Sequence, residues 1–447
     1  MLSEEGYAEL QKEIQQMGSA ALPQLMKMIR EKESRPKRWV YEFAATHGLT
    51  ELEERLAPII QDAVDLDRRR WCAAEAFVML GTNANPVVPQ LAKLIDDEDL
   101  CFAVPRALAG IGPEALPVLL SRADSKNVVI RRSVIRAMEL CGEQSEIVIP
   151  VLIRACNDTN AEARAAAISS LGRIHKEPVR VVPLLVQALT SQNSDVRTEA
   201  AQALGEFGAD AEPSVPALML KTRDLETYVR ANAAASLGRI RKRAELAVPA
   251  LAACLGDPER DVRLLATTAL GEFGADAESA VPDLLLVLSR DEDKSIHGCA
   301  ARSLGSICKC PEIVVPALMA CLEHEDHWIR YSAASALVEF GIDAACAVGS
   351  MLVSMTQTDE SPRRGIIGAL GDLRQSPELV VTALLMQLDN EYSFIRADAA
   401  AALGNFGSEA EMAIPKLVAL LNDPEPDVYN AVVAAIQAID PEAEVLR

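Results

Sequence analysis

The chain has 447 residues and a formal charge of −21; half of its residues are apolar, yet only 4% are aromatic. Ala, Leu and Val must therefore supply the core, which favours packed helices over sheets, because Ala and Leu lead the helix scale and aromatics favour strands. The acidic balance repels polyanions on average and argues against non-specific binding of nucleic acid or an anionic membrane, while leaving room for a local basic patch. No apolar run approaches the ~18 residues of a spanning helix, and a cytoplasmic protein is expected.

The opening stretch, MLSEEGYAELQKEIQQMG, places Tyr7, Leu10, Ile14 and Met17 at helical spacing. It is acidic at its start and lacks the basic-then-apolar pattern of a secretory leader. Pro23, Pro58 and Pro89 then open irregular copies of a unit that becomes regular later. Within this stretch Arg35, Lys37, Arg38, Arg68, Arg69 and Arg70 form basic clusters, followed by Trp39 and Trp71. Basic residues beside aromatics suit a polyanion; the competing reading is solvated basic turns with tryptophans packed into the first repeats. Register sets Arg106 and Arg136 at one inward position of successive helices, with Arg132 beside Arg136 and Arg70 one repeat earlier. Those four arginines, Arg70, Arg106, Arg132 and Arg136, are the candidate anion-binding residues.

From residue 117 the pattern is regular. Proline recurs at Pro117, Pro150, Pro183, Pro216, Pro249, Pro282 and Pro316, in steps of 33 residues with a last step of 34. Gly349 and Thr382 keep the register and Pro415 restores the proline. The organisation expected is one solenoid over residues 1–447 with about thirteen helical hairpins. It comprises an irregular N-terminal helix and repeats (1–116), regular repeats (117–414) and a C-terminal capping repeat (415–447). In each unit an apolar segment such as VPALMLKT (215–222) starts with proline, which the first turn of a helix tolerates; a helix begun earlier, at Asp210, would carry the same proline inside it as a kink. A polar link such as GDPERD (256–261) supplies a turn and an N-cap. The second helix, VRLLATTALGEFG (262–274), buries Val262, Leu265, Ala266, Ala269, Leu270 and Phe273 along one stripe and stops at Gly274. A period of 66 overlies the first: GEFGADAEPSVPAL (205–218) returns as GEFGADAESAVPDL (271–284), with GRIRKRAELAVPAL (238–251) between them.

DPERDVRLLATTALG (257–271), and less fully NSDVRTEAAQALG (193–205), resembles the HEAT repeat, in particular the short subclass of phycobilisome-lyase-like proteins. The resemblance implies an all-α, α-α superhelix with the second helices on its concave side. It also implies a structural role for the arginine that opens the second helix: Arg131, Arg164, Arg197, Arg230, Arg263, Arg330, Arg363 and Arg396, with His297 and Tyr429 in the two remaining slots. That arginine would bond across repeats to an acidic turn residue, for which Asp158, Asp224, Asp257 and Asp423 are placed. One turn before the closing glycine the sign alternates through Arg173, Glu206, Arg239 and Glu272, a device for fixing register.

Catalytic constellations are poor. The chain holds five histidines, His47, His175, His297, His324 and His327, and His324 and His327 are read as polar turn residues rather than metal ligands. Cys308-Lys309-Cys310 lacks the second pair of a zinc site; several of the ten cysteines stand where other repeats carry Ala or another small residue, and they are read as free thiols of a reduced compartment. No catalytic residue, metal or cofactor is expected, and the chain is expected to be a non-enzymatic monomer.

Three function classes follow: a scaffold holding a protein or peptide on the concave face, a binder of an anionic partner through the N-terminal basic patch, and a phycobilin lyase or chaperone. For the first class, Tyr228, Trp328 and Phe394 lie two residues before the ladder arginine, and Tyr331 and Arg364 lie just after it. Gly365 and Gly368 would leave room for a ligand backbone. The competing reading folds Trp328 and Phe394 back over the inter-helix turns.

Overall fold

The structure is a computed structural model; it describes residues 15, 18–30, 67–357 and 360–442, without the side chains of 357 and 360–362. Arg35, Lys37, Arg38 and Trp39 lie outside the described residues. Every regular element among those described is helical, so the expected all-α class of stacked helical pairs is the one observed. The chain divides into two compact units, Met1–Phe207 and Gly208–Arg447.

In the first unit, helical residues 67–80 precede regular pairs whose second helices are α1 (Ala103–Ile111), α2 (Val128–Ala137), α3 (Ala161–Ile174) and α4 (Ser194–Glu206). The second unit continues with α5 (Thr227–Ile240), α6 (Arg260–Glu272), α7 (Lys294–Ile307), α8 (His327–Glu339), α9 (Glu360–Leu373), α10 (Ser393–Asn405) and α11 (Pro426–Ile439). Within each unit, successive second helices pack side by side. Val262, Ala266 and Leu270 of α6 are fully buried, and burying such a Val or Leu side chain stabilises by ~1.5–3 kcal/mol. Small residues set the spacing. A β-carbon on Gly238 would lie 2.7 Å from that of Ala269, so only glycine allows α5 and α6 to approach this closely.

The longer period has a conformational cause. Four second helices end at Gly208, Gly274, Gly341 and Gly407, all left-handed with φ of 52–55°. Gly274 is thus the stop expected from the sequence. Each of these glycines opens a seven-residue 3-10 helix, as in Gly274–Ala280. The α-helix that follows carries Pro216, Pro282 or Pro415 in its first turn, or Gly349 in the copy that lacks the proline. The alternate second helices end instead on paired left-handed residues that are not glycine, such as Arg241 with Arg243 and Cys308 with Cys310. Their first helices start earlier, at Pro178, Ala244, Pro311 and Pro377. Both placements of the proline therefore occur: in the first turn after a glycine stop, and inside the helix for Pro183, Pro249 and Pro316.

Candidate functional site

The ladder arginines are built into the repeats. A side-chain cap such as Asn160 on Ala163 N (3.0 Å) or Asp326 on Trp328 N (2.9 Å) starts the second helix. The arginine on the first turn folds back onto its own turn, as Arg396 Nη1 donates to the Asn390 and Glu391 carbonyls at 2.9 and 3.0 Å. The same bonds recur for Arg164, Arg197, Arg230, Arg263 and Arg330, and Arg131 makes one to Ser125. Arg363 holds the equivalent place on α9. In the His297 slot, Nε2 donates to the Asp291 carbonyl at 2.6 Å.

The other edge of the guanidinium reaches the next repeat. Arg131–Asp158, Arg230–Asp257, Arg263–Asp291 and Arg396–Asp423 each join Nε and Nη2 to both carboxylate oxygens, at 2.6–3.2 Å. Arg131 holds the Asp158 carboxyl below the usual carboxylate range, and Arg396 does the same for Asp423. At Asp257 and Asp291 burial pushes the pKa up, but Arg230 and Arg263, with a backbone N–H each, bring it down overall. Where the turn carries Ser191, Arg164 reaches no carboxylate of the next repeat among the described residues.

A groove lies on the face formed by α8, α9 and α10. It encloses about 630 Å³ and is lined by His327, Trp328, Tyr331, Arg364, Gly365, Gly368, Asp372, Asp398, Ala401, Ala402 and Asn405. Trp328 and Tyr331 stack at 5.7 Å between centroids and are 38% and 37% exposed. Each ring lies on a glycine of a neighbouring second helix: a β-carbon on Gly298 would fall 2.4 Å from Trp328 Nε1, and one on Gly365 would fall 2.0 Å from Tyr331 Cδ2. The space at Gly365, expected to admit a ligand, is therefore taken by Tyr331. Gly368 is different, with nothing within 4 Å of its β-carbon position. It forms an open floor beside Ala401 and Ala402.

Charge is arranged at the rims. Arg364 pairs with Asp398 and sits 5.8 Å from the centroid of Phe394, which places Phe394 beside the groove rather than among its lining residues. Arg302 lies 5.1 Å from the Trp328 centroid. On the other rim Asn405 Nδ2 donates to Asp372 Oδ1 at 3.0 Å. Asp372, Asp398 and Asn405 were not singled out from the sequence, although a signal existed: Asp372 and Asn405 continue the row Arg173, Glu206, Arg239, Glu272.

The remaining candidates lie elsewhere. Tyr228, 73% exposed at the start of α5, does not line the groove. Among the arginines proposed for anions, Arg70 is buried and donates to the Asp99 carbonyl and the Asp67 carboxylate. Arg106 lies between Glu75 and Glu139, with the Trp71 centroid 4.7 Å away, and Arg132 pairs with Glu162. Arg136 is exposed on α2. Residues His297 and His324 meet edge to face at 6.1 Å, and His324 Nδ1 accepts from Asp326 N. All ten cysteines are free thiols, and burial pushes Cys141 and Cys321 up to about 11 and Cys156 to about 12.

The HEAT repeats family matches residues 149–224, 215–294, 281–353 and 349–437. The chain belongs to the HEAT-repeat family. No curated protein matches it. Similar solved structures include yeast importin-β (Kap95p), 15% identical with a TM-score of 0.52, over 98% of this chain and 76% of that one. The Kap95:Nup1 complex matches at 14% identity and a TM-score of 0.51, over 98% and 75%. A third, Kap95p with RanGDP, matches at 13% and 0.52, over 98% and 75%. At these identities the likeness is one of fold. No helix among the described residues is long and apolar enough to cross a membrane.

Proposed function

We propose that the chain is a non-enzymatic scaffold that holds a segment of a partner protein in the groove of α8, α9 and α10. The observation that carries this reading is the open floor at Gly368 beneath part-exposed Trp328 and Tyr331. Ser335 and Ala401 hold the equivalent register in α8 and α10. Both suit a helix better than glycine, which costs ~1 kcal/mol of helix stability relative to alanine. Trp, Tyr and Arg are the side chains that most often dominate interface energetics. Neither the Tyr331 hydroxyl nor the Trp328 indole N–H has a hydrogen-bond partner among the described residues. The importin-like structures in complexes with Nup1 and RanGDP are consistent with protein binding on such a fold.

The anion-binding reading has less behind it, because Arg106 and Arg132 are matched by carboxylates of their own chain and Arg70 is buried. The bilin reading rests on the motif DPERDVRLLATTALG, whose Asp257 and Arg263 are occupied in the ladder.

The test is panning of a random peptide library on the wild-type chain and on Gly368→Leu, whose β-carbon meets nothing within 4 Å and whose longer side chain fills the floor. Peptides held by the wild type and lost with Gly368→Leu, at a melting temperature no lower than that of the wild type, support the reading. If no peptide distinguishes the two proteins, the groove is not a binding site.

A further inference from the structure

Resting on that reading, we infer that the groove takes a basic side chain, a lysine or arginine of the partner segment. The groove is asymmetric in charge. One arginine, Arg364, faces two aspartates, and its guanidinium is already engaged by Asp398 and lies against Phe394. Asp372 is held by the neutral amide of Asn405 and has no cation in ion-pair range among the described residues. The lining therefore keeps one negative charge, on the rim opposite Arg364, in a chain of net charge −21.

Shape and chemistry agree with the charge. Gly368 and Asp372 are one turn apart on α9, ~6 Å along the axis. A side chain entering over Gly368 and Ala401 lays its methylene stem against small residues and the Tyr331 ring, and its head arrives at Asp372. That is the division of labour of Lys and Arg, an apolar stem and a charged tip. The aromatic rings of this face already attract guanidinium groups, as Arg302 over Trp328 and Arg364 over Phe394 show within the chain. A carboxylate or phosphate ligand would instead meet Asp372 with Arg364 already neutralised.

The experiment uses the intact chain and the peptides lost with Gly368→Leu. The expected result is a lysine or arginine at one fixed position in most of them. For a synthetic copy of such a peptide, Asp372→Asn should lower affinity about three- to fivefold, the size of an exposed charge pair. It should also remove most of the loss of affinity seen on raising salt to about 0.5 M. Asparagine can still accept from Asn405, so the melting temperature should not move. Replacing the peptide's lysine by norleucine should cost the same factor in the wild type and nothing further in Asp372→Asn. Groove-dependent peptides without a basic position, or an affinity indifferent to Asp372→Asn, overturn the inference and leave the scaffold reading standing. Absence of any groove-dependent peptide removes both.

Discussion

Tyr331 and Gly365 share one site: the ring of Tyr331 on α8 fills the volume that a β-carbon on Gly365 of α9 would need, with a closest approach of 2.0 Å. The glycine is thus the seat of an aromatic wall. In the wild type, Gly365→Ala should gain little or lose stability, because helix propensity is offset by displacement of the ring. In a Tyr331→Ala background the same change should stabilise by ~1 kcal/mol, the ordinary gain of alanine over glycine in a helix. Denaturant melts of the four proteins in this cycle check the coupling. Equal effects in both backgrounds would show that the ring does not rest there.

The same substitution should act with opposite signs at two other glycines. Gly368 is helical with open space around it, so Gly368→Ala should stabilise by up to ~1 kcal/mol. Gly341 also has open space, but its φ is +52°. There alanine is strained by its backbone conformation, and Gly341→Ala should cost ~1 kcal/mol. Thermal melts of the two single variants decide this.

The ladder can be completed. Arg164 bonds to the carbonyls of Asp158 and Thr159, and the next turn offers Ser191, whose hydroxyl accepts from Asn193 N at 3.2 Å. Asp158 makes the same cap on Asn160 N while also holding Arg131. Ser191→Asp should keep the cap and add the ion pair, raising stability by ~0.5–1 kcal/mol. The gain should vanish in an Arg164→Ala background; a gain that survives there has another source.

Much of this was legible because a repeat states its rule many times. The 33-residue step fixed the second helices, Gly274 marked its own stop, and register alone put Trp328, Tyr331, Arg364 and Gly368 on one face. What escaped was whatever depends on contact between two repeats. Nothing local to Gly365 or Gly298 says that a ring from a neighbouring helix lies on it. Asp291 was missed as the acceptor for Arg263 because the 34-residue step inserts one residue and moves the turn carboxylate out of strict period. Asp372 continues the row of Arg173, Glu206, Arg239 and Glu272 in position but not in sign, because the alternation lapses at Ser306. The choice between proline opening a first helix and proline inside it is made by the preceding connection, glycine with a 3-10 helix or paired left-handed residues, several positions upstream.

The ladder carboxylates should also set the acid limit of the fold. Arg131 and Arg396 hold Asp158 and Asp423 below the usual carboxylate range, and Arg260 brings Asp293 down to about 2. A folded pKa below the unfolded value means that the unfolded chain binds protons first as pH falls. The stabilisation is therefore complete above the unfolded value of ~3.9 and is lost as pH falls through the folded pKa. Melting temperature should change little with these groups from pH 7 to about 5 and drop steeply between about 4 and 2. Asp423→Asn isolates one rung: it leaves Arg396 with a neutral acceptor and should cost ~1–2 kcal/mol at pH 7. The gap between wild type and variant should narrow as pH falls through the lowered pKa of Asp423, because the wild-type carboxyl then takes up a proton and loses its charge as well. A gap that stays constant from pH 7 to pH 2 would mean that Asp423 stabilises the fold through packing or its cap on Glu425 N rather than through its charge.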